Sequence, residues 1–330
     1  MKKLLVLYLL FLCSFLPIFA ADSAPVILSS DEACITAKIQ NLLYNHFPKE
    51  KSKPIGLVRP KHEHFNNNPD VFAFYNPEDN YIYFRDKDIV NKLNDKYTLN
   101  SVIHELTHFY QNNYGNKLPE GGTPGAIANL MLNFEGESVF DWKFETAYKN
   151  IVNRAESEIY KLAKKIKELE KQRKFKPAAT YRLDYEIKKI EALILSWREA
   201  QDYVANGGWE KFKKAAIAEG TACLMGTKCS GTFYVTDASY IGNFFRNDGH
   251  YTNTEIYLYI FIPITIKEHY DNSNNEGKNF WYNFYGIYTN AGYKRSSLWA
   301  QEEWDNELQN VLKNIERKDI LKLIERRTEK

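Results

Sequence analysis

The chain has 330 residues, 44 Lys and Arg against 42 Asp and Glu, a net charge of +2, and 44% hydrophobic residues. That length and apolar content suffice for a sizeable core, and the near balance of charge gives no nucleic-acid footprint. Tyr, Phe and Asn are abundant, with 23 Tyr and 20 Phe, a compositional bias compatible with contact surface that supports no sharper inference.

Met1-Lys2-Lys3 is basic, Leu4 to Phe19 is apolar, and Ala20-Ala21 supplies small residues. This is the pattern of a secretory signal peptide over residues 1–21, so the chain is expected to be secreted or periplasmic. An uncleaved anchor is disfavoured because the apolar run is short for a span and contains Pro17. Cys13 lacks small residues before it, which argues against lipidation. No later segment approaches transmembrane length. The remaining cysteines are Cys34, Cys223 and Cys229; in an oxidising compartment Cys223 and Cys229 are placed to close a small loop, leaving Cys34 free, although the connectivity stays open. No Cys-x-x-Cys pair is present to bind zinc.

Residues 29–47 read as a helix. Ser29 and Glu32 have capping-box spacing, and Ile35, Ile39, Leu42, Leu43 and Phe47 recur on one face. Ile55 to Val58, Val71 to Tyr75 and Tyr81 to Phe84 read as short strands, the last two joined through Asn76-Pro-Glu-Asp-Asn80. His62 and His64 flank Glu63 at strand spacing, but no partner ligand is evident, and they are read as surface histidines. His46 and His269 receive no role.

The next stretch organises the chain. In Leu99 to Gln111, the residues Leu99, Val102, Ile103, Leu106 and Tyr110 form one apolar stripe, predicting an amphipathic helix from about Asn100. His104 and His108 then project from one face, a turn apart, as a metal pair requires. Glu105 is set to address a metal-bound water, which completes His-Glu-x-x-His. A third ligand is needed. The metzincin continuation requires Gly and His where Gln111 and Tyr114 stand, so that pattern is excluded. A carboxylate from a second helix remains, and Ala126 to Tyr148 is the next helical run. Within it Glu137 has Asp141 one turn later, suited to accept the second N–H of a ligand histidine, and Gly136 permits close helix approach. Glu135 lacks such a follower, and Glu120 lies in the Pro/Gly loop Leu118 to Gly125. A solvated helix face is the structural alternative for Glu137 and Asp141.

His104-Glu105-Leu106-Thr107-His108 followed by Glu137-Ser138-Val139-Phe140-Asp141 resembles the gluzincin branch of zinc metallopeptidases, whose motifs are His-Glu-x-x-His and Glu-x-x-x-Asp. The resemblance covers residues 55–145 at the level of motifs. It implies Zn²⁺ held by His104, His108 and Glu137, with Asp141 behind them and Glu105 as general base in peptide-bond hydrolysis. It also implies a zincin-like α+β fold: an upper lobe with a small mixed sheet and the active-site helix, and a mainly helical lower lobe. An upper-lobe edge strand, Phe72 to Tyr75 or Tyr81 to Phe84, is then expected to pair with an extended protein or peptide substrate. A lower-lobe His or Tyr beside the metal is expected too, with His250 or Tyr251 as candidates and Tyr240 behind them, in what is otherwise an ordinary polar loop.

Beyond residue 145 two heptad series follow. Ile159, Leu162, Ile166 and Leu169 form one, and Leu183, Ile187, Ile190, Ile194 and Trp197 the other, with a break at Arg173 to Pro177. They predict an antiparallel helical hairpin over 146–205, either a rigid insertion or a surface for a protein partner. Asn206-Gly-Gly208 ends it. Trp209 to Ala222 reads as a helix, Phe233 to Val235 and Glu255 to Ile264 as strands, and the segment from Ser296, with Leu298, Trp304, Leu308, Val311 and Leu312, as a terminal amphipathic helix. The expected units are 1–21, a catalytic lobe at 22–145, the hairpin at 146–205 and a lower lobe at 206–330. The alternative to a peptidase is an extracellular or envelope interaction protein with a structural or inactive zinc site.

Overall fold

The structure is a computed structural model that describes residues 30–48, 65, 71–85, 87–115, 118, 124–234, 253–295 and 301–325. The expectations for the signal peptide, Ile55 to Val58, Glu120, His62, His64, Tyr240, His250 and Tyr251 lie outside these residues. The architecture is α+β in a helix-dominated form: among the described residues, one two-stranded antiparallel sheet accompanies the helices.

Helix α1 (Ser30–His46) packs Ile35, Ile39 and Leu43 inward. Strands β1 (Ala73–Asn76) and β2 (Tyr81–Phe84) pair with Tyr75 opposite Ile82 and Asn76 opposite Tyr81. Asp79 accepts from the Tyr81 N–H within the connecting turn, and Asn80 takes a left-handed conformation at φ 64°, which asparagine tolerates. Helix α2 (Lys96–Tyr114) is capped by Asp95, whose side chain accepts from the Thr98 N–H. Its Asn112 donates to the Tyr75 hydroxyl at 2.7 Å, and its Asn113 donates to Asn80 at 2.8 Å. Those two amides hold the β-turn against the helix, and β1 is thereby fixed alongside the His-Glu-x-x-His segment.

The expected helix from Ala126 to Tyr148 is three pieces: α3 (Pro124–Phe134), α4 (Gly136–Phe140) and α5 (Phe144–Phe175). Trp142, at φ 64°, makes the turn into α5. The helical hairpin forms as its heptads require, with α5 running out, a turn at Pro177–Ala179, and α6 (Thr180–Ala205) returning. Helix α7 (Gly208–Ser230) follows a left-handed Gly207 and ends at a left-handed Gly231.

Glu255 to Ile264, expected to be a buried strand, is helical. A short helix α8 (Asn253–Ile256) runs through a π-helical segment (Tyr257–Phe261) into α9 (Ile262–Asp271). An apolar run fits a buried helix as well as a buried strand. Pro263 explains the change of helical register: lacking an N–H, it cannot bond the carbonyl four residues back, and the widened turn, in which the Ile262 N–H reaches the Tyr257 carbonyl, sits immediately before it. Phe233 and Tyr234 likewise form no strand, and Val235 is outside the described residues. Helices α10 (Asn275–Arg295), α11 (Gln301–Leu312) and α12 (Arg317–Glu325) complete the chain, and Leu308, Val311, Leu312, Ile320 and Leu321 enter the core. No described helix is long and apolar enough to cross a membrane.

Two apolar cores result. One gathers α1, the sheet, the inner face of α2 and the C-terminal helices; the other gathers α3, α5 and α6 around Trp197, Tyr203 and Phe212. Helix α7 serves both, with Phe212 and Ala216 in the second and Cys223, Leu224 and Met225 in the first. The middle of α7 is thus fixed from two sides. The loop-closing disulfide is not formed: Cys34, Cys223 and Cys229 are free thiols. Cys223 and Cys229 are six positions apart on α7, about 9 Å of helical rise, which exceeds the span of a disulfide.

Candidate metal centre

His104 and His108 stand one turn apart on α2, with their Nε2 atoms 3.1 Å from each other. The third donor comes from α7. Glu219 places Oε2 3.4 Å from His104 Nε2 and Oε1 3.6 Å from His108 Nε2. A tetrahedral ion with arms of 2.0–2.1 Å has ligand-to-ligand edges of about 3.3 Å. The donor triangle therefore has the size of one face of such a coordination sphere, and His104, His108 and Glu219 are a group able to hold a metal ion.

Glu137 does not belong to this group. It is exposed on the five-residue helix α4, and Asp141 is exposed and paired with Lys143 at 3.2 Å. The break at Glu135 and the turn at Trp142 separate these carboxylates from the long helix on which their spacing would have aimed them together. Glu135 is engaged elsewhere, accepting from Asn150 at 2.7 Å and from Arg154 at 2.8 Å. The sequence predicts the helix carrying Glu219 but not its place among the metal donors. The signal present was the small-residue run after it, Gly220-Thr221-Ala222-Cys223, which suits a helix buried against close neighbours.

That run sets the geometry. A Cβ at Gly220 would lie 2.4 Å from the Phe261 carbonyl oxygen, so α7 meets the π-helical segment backbone to backbone there. A Cβ at Gly226 would lie 3.0 Å from the Asn100 carbonyl oxygen, where α7 meets α2. Asn100 is buried and donates to the Thr232 carbonyl at 2.6 Å, fixing the start of α2 to the end of α7. With both helices and the π-turn held this closely, Tyr257 reaches Glu219, and its hydroxyl donates to Oε2 at 2.5 Å. The Tyr257 ring also lies 6.1 Å from that of His104.

Compared with known proteins, the chain matches no family model, no curated protein and no solved structure.

Further contacts orient the donors. Gln111, 4% exposed, faces His108 Nδ1 with its Oε1 at 2.9 Å and donates from Nε2 to the Ala218 carbonyl at 3.0 Å. An acceptor at Nδ1 places the neutral ring's proton there and leaves the Nε2 lone pair for the metal. One amide thus ties a histidine on α2 to the residue preceding Glu219 on α7.

Glu105 faces another way. Its Oε2 accepts the Tyr75 backbone N–H from β1 at 2.7 Å, and it is not part of the donor group. Burial raises its carboxyl above the ordinary value, against the pull of His104 and His108. Glu219 is held well below the carboxylate range: burial opposes its ionisation, but His108 and His104 outweigh it. Burial lowers the His108 pKa while Glu219 raises it, and the net result is about 9. The Tyr257 phenol is pushed well above its usual value by burial and then by Glu219, so it stays a donor.

Proposed function

We propose that the protein is a zinc-dependent peptidase whose metal is held by His104, His108 and Glu219, with Glu105 as general base. The observation that carries this reading is the division of labour between two buried carboxylates: Glu219 lies among the imidazole nitrogens, whereas Glu105, next to the first histidine in sequence, is held back by the Tyr75 N–H with a raised pKa. A structural site has no need of that second carboxylate. Two imidazoles and one carboxylate are also the donor set of catalytic zinc sites that keep one position open.

Zinc in such a site supplies Lewis acidity, polarising a carbonyl oxygen and making water acidic near neutral pH. Glu105 accepts the proton of the attacking water and delivers it to the leaving amine, a task suited to a carboxyl whose basicity burial has raised. Gln111 keeps His108 in the ligating tautomer, and Tyr257 holds the Glu219 carboxylate in place. Strand β1 is the favoured edge for an extended substrate. The Phe72 carbonyl, just before β1, bonds the Arg85 N–H across the hairpin, whereas the Tyr75 N–H of β1 points away from β2 to Glu105, so the edge of β1 that is not paired with β2 faces the general base. This restates the zincin-like expectation with Glu219 in place of Glu137.

The test is cleavage of a diverse peptide library by the zinc-loaded protein, read by mass spectrometry, with Glu105→Gln in parallel. The expected result is products from the wild type alone. Products undiminished in Glu105→Gln, or none from folded, zinc-loaded wild type, would remove the reading.

A further inference from the structure

The hairpin of α5 and α6 carries its charge and its most exposed rings at the end away from the core. Fully buried residues on α5 stop at Ala155 and Leu162 is the last of its residues packed on the second core, so Ala163 to Phe175, about 20 Å of helix, extends beyond it beside the first turns of α6. There the two arms share an apolar seam in which Leu183, Ile187 and Ile190 are buried. The tip has a different character. Nine of the 22 residues from Lys161 to Arg182 are basic and two are acidic, in a chain whose total charge is +2. Lys161 and Arg173 have acidic partners in Glu158 and Asp184. Phe175 and Tyr181, on either side of the turn, are 83% and 88% exposed, more than any other large hydrophobic side chain among the described residues.

The turn itself asks for neither ring. Its backbone is closed by the Lys176 N–H on the Gln172 carbonyl and the Ala179 N–H on the Lys176 carbonyl. Exposed aromatic rings amid clustered Lys and Arg make a surface suited to an anionic bilayer, the rings entering the headgroup boundary and the cations pairing with lipid phosphates. An acidic protein would satisfy the charge, but two rings on a convex tip would then need a matched pocket, whereas a fluid interface accepts them without one. We infer that the tip, residues 171–182, is a docking surface for anionic lipid bilayers, independent of what the metal centre catalyses.

The experiment is co-sedimentation of the full chain with vesicles of phosphatidylcholine alone and of phosphatidylcholine mixed with phosphatidylglycerol. Binding is expected to the anionic vesicles, weakening with added salt, and not to the neutral ones. The triple variant Lys171→Glu/Lys174→Glu/Lys176→Glu should melt like the wild type and lose at least on the order of a hundredfold in partitioning, at about fivefold per basic residue. Phe175→Ser/Tyr181→Ser should also melt normally and lose about tenfold or more. Failure of the wild type to bind anionic vesicles, or equal binding by folded variants, overturns the inference. Retention on polyglutamate resin without vesicle binding overturns it too and assigns the tip to an acidic protein.

Discussion

Replacing Gln111 by Leu separates the metal-centre account from a purely structural one. Gln111 is buried, and its amide joins His108 Nδ1 at 2.9 Å to the Ala218 carbonyl at 3.0 Å. Leucine fills similar volume and leaves both groups without that partner. The Ala218 carbonyl retains its place in the α7 ladder, so the main cost falls on the His108 N–H, about 1–3 kcal/mol for a buried unsatisfied donor. In a chain of this size that is a fall in melting temperature of roughly 2–6 °C. The effect on the metal should be larger in proportion: with the tautomer and ring orientation of His108 no longer fixed, zinc affinity is expected to fall about 10- to 100-fold. The assay is competition with a chromophoric chelator, paired with thermal melting. Gln111→Glu provides a second arm, because its carboxylate still accepts the Nδ1 proton but no longer donates to Ala218. It should recover much of the affinity while losing the tie between α2 and α7. A folded Gln111→Leu protein with wild-type zinc affinity would refute the reasoning, whatever its melting temperature.

Tyr257→Phe removes the hydroxyl that donates to Glu219 and should lower zinc affinity about tenfold with little change of fold, in the same competition assay. Gly220→Ala forces a methyl against the Phe261 carbonyl and should destabilise by about 1–3 kcal/mol in urea unfolding; a neutral or stabilising result would contradict the close crossing of α7 and the π-helical segment. The raised pKa of His108 gives a pH dependence with a defined sign. Because its folded value of about 9 lies above the unfolded value near 6.5, the His108–Glu219 pairing stabilises the metal-free protein fully below about pH 6.5 and is lost as pH rises through 9. Zinc displaces that proton, so affinity should rise about tenfold per pH unit between 7 and 9 and level off above, with one proton released by calorimetry in two buffers.

Local signals in the sequence carried far. The stripe from Leu99 to Tyr110 and the histidine pair located α2, the Asn-Pro-Glu-Asp-Asn turn located the β-hairpin, and the heptads located α5 and α6. Each is a short-range pattern in which periodicity or turn chemistry dictates structure directly. The third donor is different in kind. Glu219 is 111 positions beyond His108 and meets it only because glycines 220 and 226 let α7 lie against its neighbours, whereas the Glu137–Asp141 pair had attractive spacing on a helix that the chain interrupts. The π-helical segment is hard to read from sequence for a related reason. Its apolar run carries no period that separates a buried strand from a buried helix, and a single residue, Pro263, argues against a central strand.

The most direct test of the metal centre is the zinc content of purified wild type, Glu219→Ala and Glu137→Ala by inductively coupled plasma mass spectrometry. The account predicts one zinc per chain in the wild type and Glu137→Ala, and loss of zinc from a folded Glu219→Ala. Zinc retained without Glu219 and lost without Glu137 would contradict it.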